Sequence, residues 1–491
     1  MRKLRVIGLM IALITNLLYA QKNNVQPYDK LIASKELKED LALLKYNLEA
    51  IHAGLYEYTP KEKLDQAFIE IEKELTEPMT AMNFNRKLCT LHSLIGNGHT
   101  SFEFASSYIE ATQSELPRFP FAVYMDNREL YITRNYAKNE AIQVRWKLKS
   151  INGEKAMALF DEFVSLKTRD GYNLSGPETY VGKSFSYHYA LFRGTPEEFE
   201  LVLEDEQGKE RNYAIEALKL DTIRKYREER YGKPKPSSIF AQELPGLKLE
   251  IQDKIATINI YTFSEDYIKK HGEKSKKWFQ DAFEKIVAAG VEHLIIDMRD
   301  NGGGGPATSV ALMSHLLDEP FTFYKELSTI TRKIPNPELY KSNVRLLNLI
   351  APLRVKKQDN GTYAFKTLGS KPYKPAKPIY KGKIYVLVNG VSFSQTGETA
   401  AFLKSETDAI FIGEEVGGNA YQNTSGEMLQ LELPNSKNIA QIPIVLWEIN
   451  VKFENTGHGV KPDHLVRASL DEFLEEKDVV MEFTLDLIGK M

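Results

Sequence analysis

The chain has 491 residues, 42% hydrophobic and 27% charged, the balance of a soluble globular protein that can build a core without metal or disulfide staples. At roughly 100–200 residues per domain, the length allows two to four domains. A net charge of −3 argues against a nucleic-acid binder, which carries a basic excess or patch.

Arg2, Lys3 and Arg5 precede an apolar run over residues 6–20 that ends in Leu18-Tyr19-Ala20 before Gln21. A charged start, a short apolar stretch and a small residue at the end read as a signal peptide over 1–20. The run is short of the ~20 apolar residues of a membrane span, and no other segment is long and apolar enough. The chain is therefore expected to be exported, periplasmic or secreted. The single cysteine, Cys89, cannot form an internal disulfide and reads as a small buried hydrophobe in a helical pattern over 84–94.

Residues 27–110 read as a helical domain. Leu41, Leu44, Leu48 and Ile51 recur at helical spacing, as do Leu64, Phe68, Ile71 and Leu75. Thr59-Pro60 with Glu62 suits a helix start. A further helix over 80–94 stops at Gly96-Asn97-Gly98, a turn signal. Residues 115–220 change character. Strands are expected over 119–124 and 130–133 around Asp126-Asn127, and over 146–151 before the turn Asn152-Gly153. A helix over 155–166 and strands over 199–203 and 212–215 complete a small α+β module. Residues 232–238, with two prolines, two lysines and a glycine, form a linker by composition.

From residue 245 to 480, strands and helices alternate: a strand over 255–261, a helix over 276–289, a buried strand over 293–298 and another over 385–388, then a helix over 396–404. Continuous apolar strands followed by helices predict a sheet covered on both faces. Between them, 333–383 carries Lys371-Pro372, Lys374-Pro375 and Lys377-Pro378 and reads as an exposed excursion. The fold class is α+β, in several domains.

Three places carry chemistry. Gly302-Gly303-Gly304-Gly305 follows the buried strand. Four glycines are costly in backbone entropy unless positive φ or close approach is needed, and a strand running through them into a helix presents free N–H groups for an oxyanion. No Gly-Lys-Ser/Thr follows, so this is not a phosphate-binding loop. The second place, Asn389-Gly390-Val391-Ser392-Phe393-Ser394-Gln395, puts a serine between a buried strand and a helix, the logic of a nucleophile elbow. Position alone leaves Ser392 and Ser394 open, and either also fits a helix cap. The third, Glu454-Asn455-Thr456-Gly457-His458-Gly459, sets a carboxylate beside a glycine-rich turn.

The order of these three motifs resembles the C-terminal-processing, or tail-specific, serine peptidases. Leu148-Lys149-Ser150-Ile151-Asn152-Gly153 is similar to the PDZ-like module of that family. Ile51-His52-Ala53-Gly54-Leu55-Tyr56 with Gly98-His99-Thr100 resembles its tricorn-core and retinoid-binding-protein-like branch. The resemblance covers nearly the whole chain after the leader. It implies a crotonase-like fold for 245–480 and makes the second serine, Ser394, the nucleophile.

One mechanism in the family uses a lysine 25 residues beyond the serine; that position here is Asn419, which cannot act as a base at neutral pH. The resemblance therefore implies the other mechanism, with His99 as general base, Glu454 as the acid that orients it, and an oxyanion hole from Gly302 or Gly303 and Gln395. Histidine titrates near neutrality and passes a proton both ways. Where the tricorn core has a linking serine before the histidine, this chain has Gly98.

The function implied is a serine peptidase acting on peptide or protein substrates, with no metal or organic cofactor and no nucleic acid. The alternative is a catalytically weak or inactive binding protein on the same fold. His458 is a rival base. His52 and His92 are placed on helix surfaces or edges, and Trp146, Trp278 and Trp447 in cores.

Overall fold

Alternating and fully apolar strands assemble three six-stranded sheets. The computed structural model describes residues 27–233, 245–366 and 372–490. The expected signal peptide and most of the expected linker lie outside the described residues.

The sheet that carries the site runs in the order Leu247–Gln252, Ile255–Ile260, His293–Asp297, Lys383–Val388, Ile410–Gly413, His464–Leu465. Its first pair is antiparallel and the rest are parallel. Parallel strands need both faces covered. Phe279, Phe283 and Ile286 of helix Ser275–Ala288 cover one face with Ile258, Ile296 and Val386. Ile488 of the last helix, Val479–Gly489, covers the other with Ile295, Tyr385 and Leu387.

A second, antiparallel sheet joins Val355–Lys357, Tyr363–Phe365, Tyr324–Thr329, Ile439–Ile449 and Gln422–Glu432. Strand Ser101–Glu103 adds to it, Phe102 opposite Ala440. The N-terminal helices therefore share one core with this sheet: Leu44, Leu48, Phe84 and Leu91 pack with Leu429, Leu431, Ala440 and Ile442. That shared core corrects the reading of two histidines. His52 and His92 are buried, not at helix surfaces; His52 Nε2 lies 2.7 Å from Thr100 Oγ1, and the His92 ring stacks on Phe102 at 4.8 Å. It also corrects 333–383, where helix Val344–Arg354 and two strands form and Ile334, Tyr340 and Val344 enter the same core. The helix expected over 80–94 breaks into Ala81–Cys89 and His92–Ile95.

The third sheet, within 115–220, runs Glu210–Glu216, Glu198–Glu204, Lys147–Ile151, Glu129–Asn135, Phe121–Asp126. Helix Ala156–Ser165 follows the turn at Asn152-Gly153, where both residues have positive φ, 50° and 81°. Helices Ser175–Lys183, Phe185–Arg193 and Leu220–Tyr231, which lack strong cap signals, were not expected. Cys89 is buried, and burial pushes its thiol up to about 12.

Candidate active site

The strand Lys383–Val388 ends in the turn Asn389–Phe393, and Ser394 caps the helix Gln395–Glu406. Ser394 has φ 56° and ψ −126°, a left-handed conformation that costs a side-chain-bearing residue about 1–3 kcal/mol. Its hydroxyl makes no capping bond, so it is free to point elsewhere. Ser392 is spent on structure: it is fully buried, its Oγ donates to Met298 O at 2.9 Å and accepts from Asn389 N–H at 3.1 Å.

Ser394 Oγ lies 3.1 Å from His99 Nε2. The histidine is held there by its own turn. Gly96 ends helix His92–Ile95 in the left-handed region, φ 61°. Asn97 Oδ1 then accepts from the His99 N–H at 3.1 Å and from Thr100 Oγ1 at 2.9 Å, and Gln441 Nε2 donates to His99 O at 3.0 Å. The ring stacks on Phe393 with centroids 4.8 Å apart. That stack explains Gly98: a Cβ there would sit 2.5 Å from Phe393 Cζ and 3.1 Å from Asp170 Oδ1. A linking serine does not fit while Phe393 supports the imidazole.

The glycine run meets the serine from the other side. Gly303 has φ 109°, and a Cβ on it would stand 2.8 Å from Ser394 Cβ and 3.0 Å from Gln395 N. Its N–H donates to Asn301 Oδ1 at 2.9 Å. The N–H groups of Gly302 and Gln395 donate to no group among the described residues. A cavity of about 1210 Å³, bordered by Gly302, Gly303, Tyr124, Lys183 and Arg299, opens beside the run.

Glu454 is not brought to the histidine. It is exposed and makes no hydrogen bond to the ring, and His99 Nδ1 is buried with no partner among the described residues. Asn419 donates to Tyr58 Oη at 2.6 Å and to Asn455 Oδ1 at 3.0 Å, a structural role. His458 Nδ1 sits 3.1 Å from Glu415 and not at the serine.

Asp170 was not singled out in the sequence. It is buried; Gly98 N–H donates to its Oδ1 at 2.7 Å and Asn419 N–H to its Oδ2 at 3.2 Å. Its neighbours extend the clamp, with Gly171 N–H donating to Gly96 O and Tyr172 N–H to Gly457 O, both at 2.8 Å. One segment thus ties the histidine's turn to the loops beside Ser394. Glu398, one helical turn beyond Ser394, is buried too and takes hydrogen bonds from Tyr324 and Asn423.

Residues 254–466 match the model of peptidase family S41. The match spans less than half of the chain and makes that part a serine peptidase by class, with peptides or proteins as substrates. Among solved structures it is similar to mature CPAF, at 14% identity and a TM-score of 0.59, over 92% of this chain and 95% of that one. The complex of mature CPAF with lactacystin gives 15% and 0.58, over 93% and 98%. This likeness speaks for the fold: a mixed α+β architecture in several parts. No curated protein matches the sequence. No helix among the described residues is long and apolar enough to cross a membrane.

Burial sets the titration of the peptidase's site. It lowers His99 to about 4, so the imidazole is neutral at pH 7. His52 and His92 are lowered by burial to about 4 as well, and so is His188. Burial raises Asp170 to about 6, and raises Glu398. The signs oppose. Between pH 6.5 and 4 the unfolded chain takes up protons at four histidines that the folded chain refuses, so stability falls by at most about 3 kcal/mol for each. Over the same window Asp170 and Glu398 take up protons first in the folded state, which stabilises it. Burial also lowers His315 and raises Glu178 and Glu414, so five rings stand against four carboxylates. Urea unfolding at pH 7 and pH 4.5 is expected to show a net loss of several kcal/mol, roughly additive over the buried rings. An unchanged midpoint would mean that these rings are charged or hydrated in the folded protein.

Proposed function

We propose that this chain is an exported serine peptidase that cleaves peptide bonds through an acyl-enzyme on Ser394. His99 is the general base. The observation that carries this is the 3.1 Å separation of His99 Nε2 and Ser394 Oγ, within proton-transfer reach. Ser394 Oγ attacks the scissile carbonyl carbon while Nε2 takes its proton. The oxyanion is met by the Gln395 N–H and by that of Gly302, or of Gly303 once released from Asn301. The tetrahedral centre collapses, the C–N bond breaks, and the imidazolium returns the proton to the leaving amine. Water then repeats the sequence and releases the acid.

In this reading, residues 115–220 form a PDZ-like module and 245–480 a crotonase-like catalytic domain. The parallel strands that end at the glycine run and at Ser394 support the second assignment. The charged and apolar N-terminus supports export. Phe393 and the Asn97 turn orient the ring; a part for Glu454 would require its loop to swing the carboxylate to Nδ1.

One observation favours a second reading, a catalytically weak binding protein on the same fold: among the described residues, Nδ1 has no acceptor to stabilise the imidazolium. A fluorophosphonate separates the two. Mass spectrometry is expected to find the phosphonyl adduct on the peptide containing Ser394, at a rate abolished by His99→Ala. Intact protein that takes no label leaves the binding reading.

A further inference from the structure

Helix Val344–Arg354 projects two apolar faces. The inner one is explained: Val344 is buried and Leu347 packs against the core of the N-terminal helices. The outer one covers nothing among the described residues. Leu346 is 51% exposed, Leu349 73% and Leu353 76%. With half-buried Ile350, these side chains fill an arc of about 100° at the helical repeat. Arg345 and Arg354 stand just beyond the two edges of that arc.

Charge says what covers it. Over residues 341–359 the chain carries Lys341, Arg345, Arg354, Lys356 and Lys357 against the single acid Asp359, in a protein whose net charge is −3. All five basic side chains are exposed, and none has an ion-pair partner among the described residues. An apolar face between basic edges is the pattern of a helix that lies in a lipid interface, with leucines in the acyl boundary and basic groups among anionic headgroups.

A second copy fits less well. Eleven residues make a helix about 16 Å long, and four side chains on it fall well short of the roughly 800 Å² that each partner buries in a stable interface. A twofold pairing would also set the basic edges of the two copies against each other. A peptide partner would be expected to meet a groove, whereas here Leu349 and Leu353 stand on an exposed helix face.

We propose that the outer face of helix Val344–Arg354 docks the protein on an anionic lipid surface. The proposal does not depend on the catalytic reading, and its test measures no activity. It would hold the site against a membrane, where the substrates would be polypeptides presented at that surface.

The test must read the helix itself, because residues 6–20 of the full chain are another apolar segment. Leu349→Trp in the full chain places an indole on the outer face, at a site exposed enough to accept it. The protein is mixed with phosphatidylcholine vesicles, with or without phosphatidylglycerol, whose acyl chains carry bromine. The expected result is quenching on the anionic vesicles beyond that of the unaltered chain. Each basic group near such a surface raises partition about fivefold. Adding Arg345→Glu and Arg354→Glu should therefore weaken the quenching-detected affinity by about tenfold or more.

An introduced indole that stays unquenched on anionic vesicles overturns the proposal, and so does equal quenching on neutral ones. A lipid-free dimer in sedimentation that Leu349→Ser dissociates would assign the face to a second copy instead and overturn it as well.

Discussion

Ser394→Ala is expected to remove about 10⁴-fold or more of kcat/KM while leaving the fold intact. The reason lies in how little the hydroxyl does for the structure. It makes no capping bond and has one partner among the described residues, His99 Nε2 at 3.1 Å. Losing that bond costs about 1 kcal/mol, so the thermal midpoint should move by a few degrees at most. His99→Ala should cost a comparable factor, and the double variant little more than either, because the two groups act as one unit.

Ser394→Gly adds a check on the backbone. Glycine adopts φ 56° without the penalty, so this variant should be inactive yet no less stable than Ser394→Ala, by up to about 1–3 kcal/mol in urea. Residual peptidase activity in purified Ser394→Ala would sink the assignment of the nucleophile. A glycine variant much less stable than the alanine variant would show that the turn is not strained.

The parts of the site visible in the sequence are those fixed by local pattern. A buried strand running into Gly302–Gly305, and another running into Ser-Phe-Ser before a helix, name the backbone that surrounds the nucleophile. The family resemblance then implies Ser394 rather than Ser392, and Ser392 is occupied by Met298 and Asn389. What sequence could not show depends on contacts between distant segments. Gly98 looks like a lost serine until the Phe393 ring is seen where the side chain would be. His52 and His92 look like surface residues because the sheet that covers their helices lies more than 300 residues further on, with Phe102 opposite Ala440. Glu454 matches the order of the motif, but the direction of an exposed loop side chain is not encoded in spacing. Asp170 was hidden for the same reason: its partners, Gly98 and Asn419, lie far from it on either side.

Asp170→Asn is expected to lower kcat about 10- to 100-fold with KM little changed, and to alter the pH profile. The carboxylate accepts two backbone N–H groups, one on each side of the site. An amide accepts one and turns its own N–H₂ toward the other, leaving a buried donor unmet at a cost of about 1–3 kcal/mol. The strained contact falls on Gly98 or Asn419, and either shifts the turn that aims His99. Displacements approaching 1 Å at a reacting group cost about 100-fold.

Lost stability alone would predict the same fall in rate, so the pH profile carries the argument. Burial raises Asp170 to about 6 and lowers His99 to about 4. In the unaltered enzyme kcat/KM should fall as pH drops through about 6, because protonating Asp170 replaces an acceptor with a donor facing an N–H. In Asp170→Asn that limb should disappear, leaving a lower but level profile that falls only toward pH 4, where His99 takes up its proton. A limb near pH 6 that survives unchanged in Asp170→Asn would show that Asp170 does not position the base and that another group titrates there.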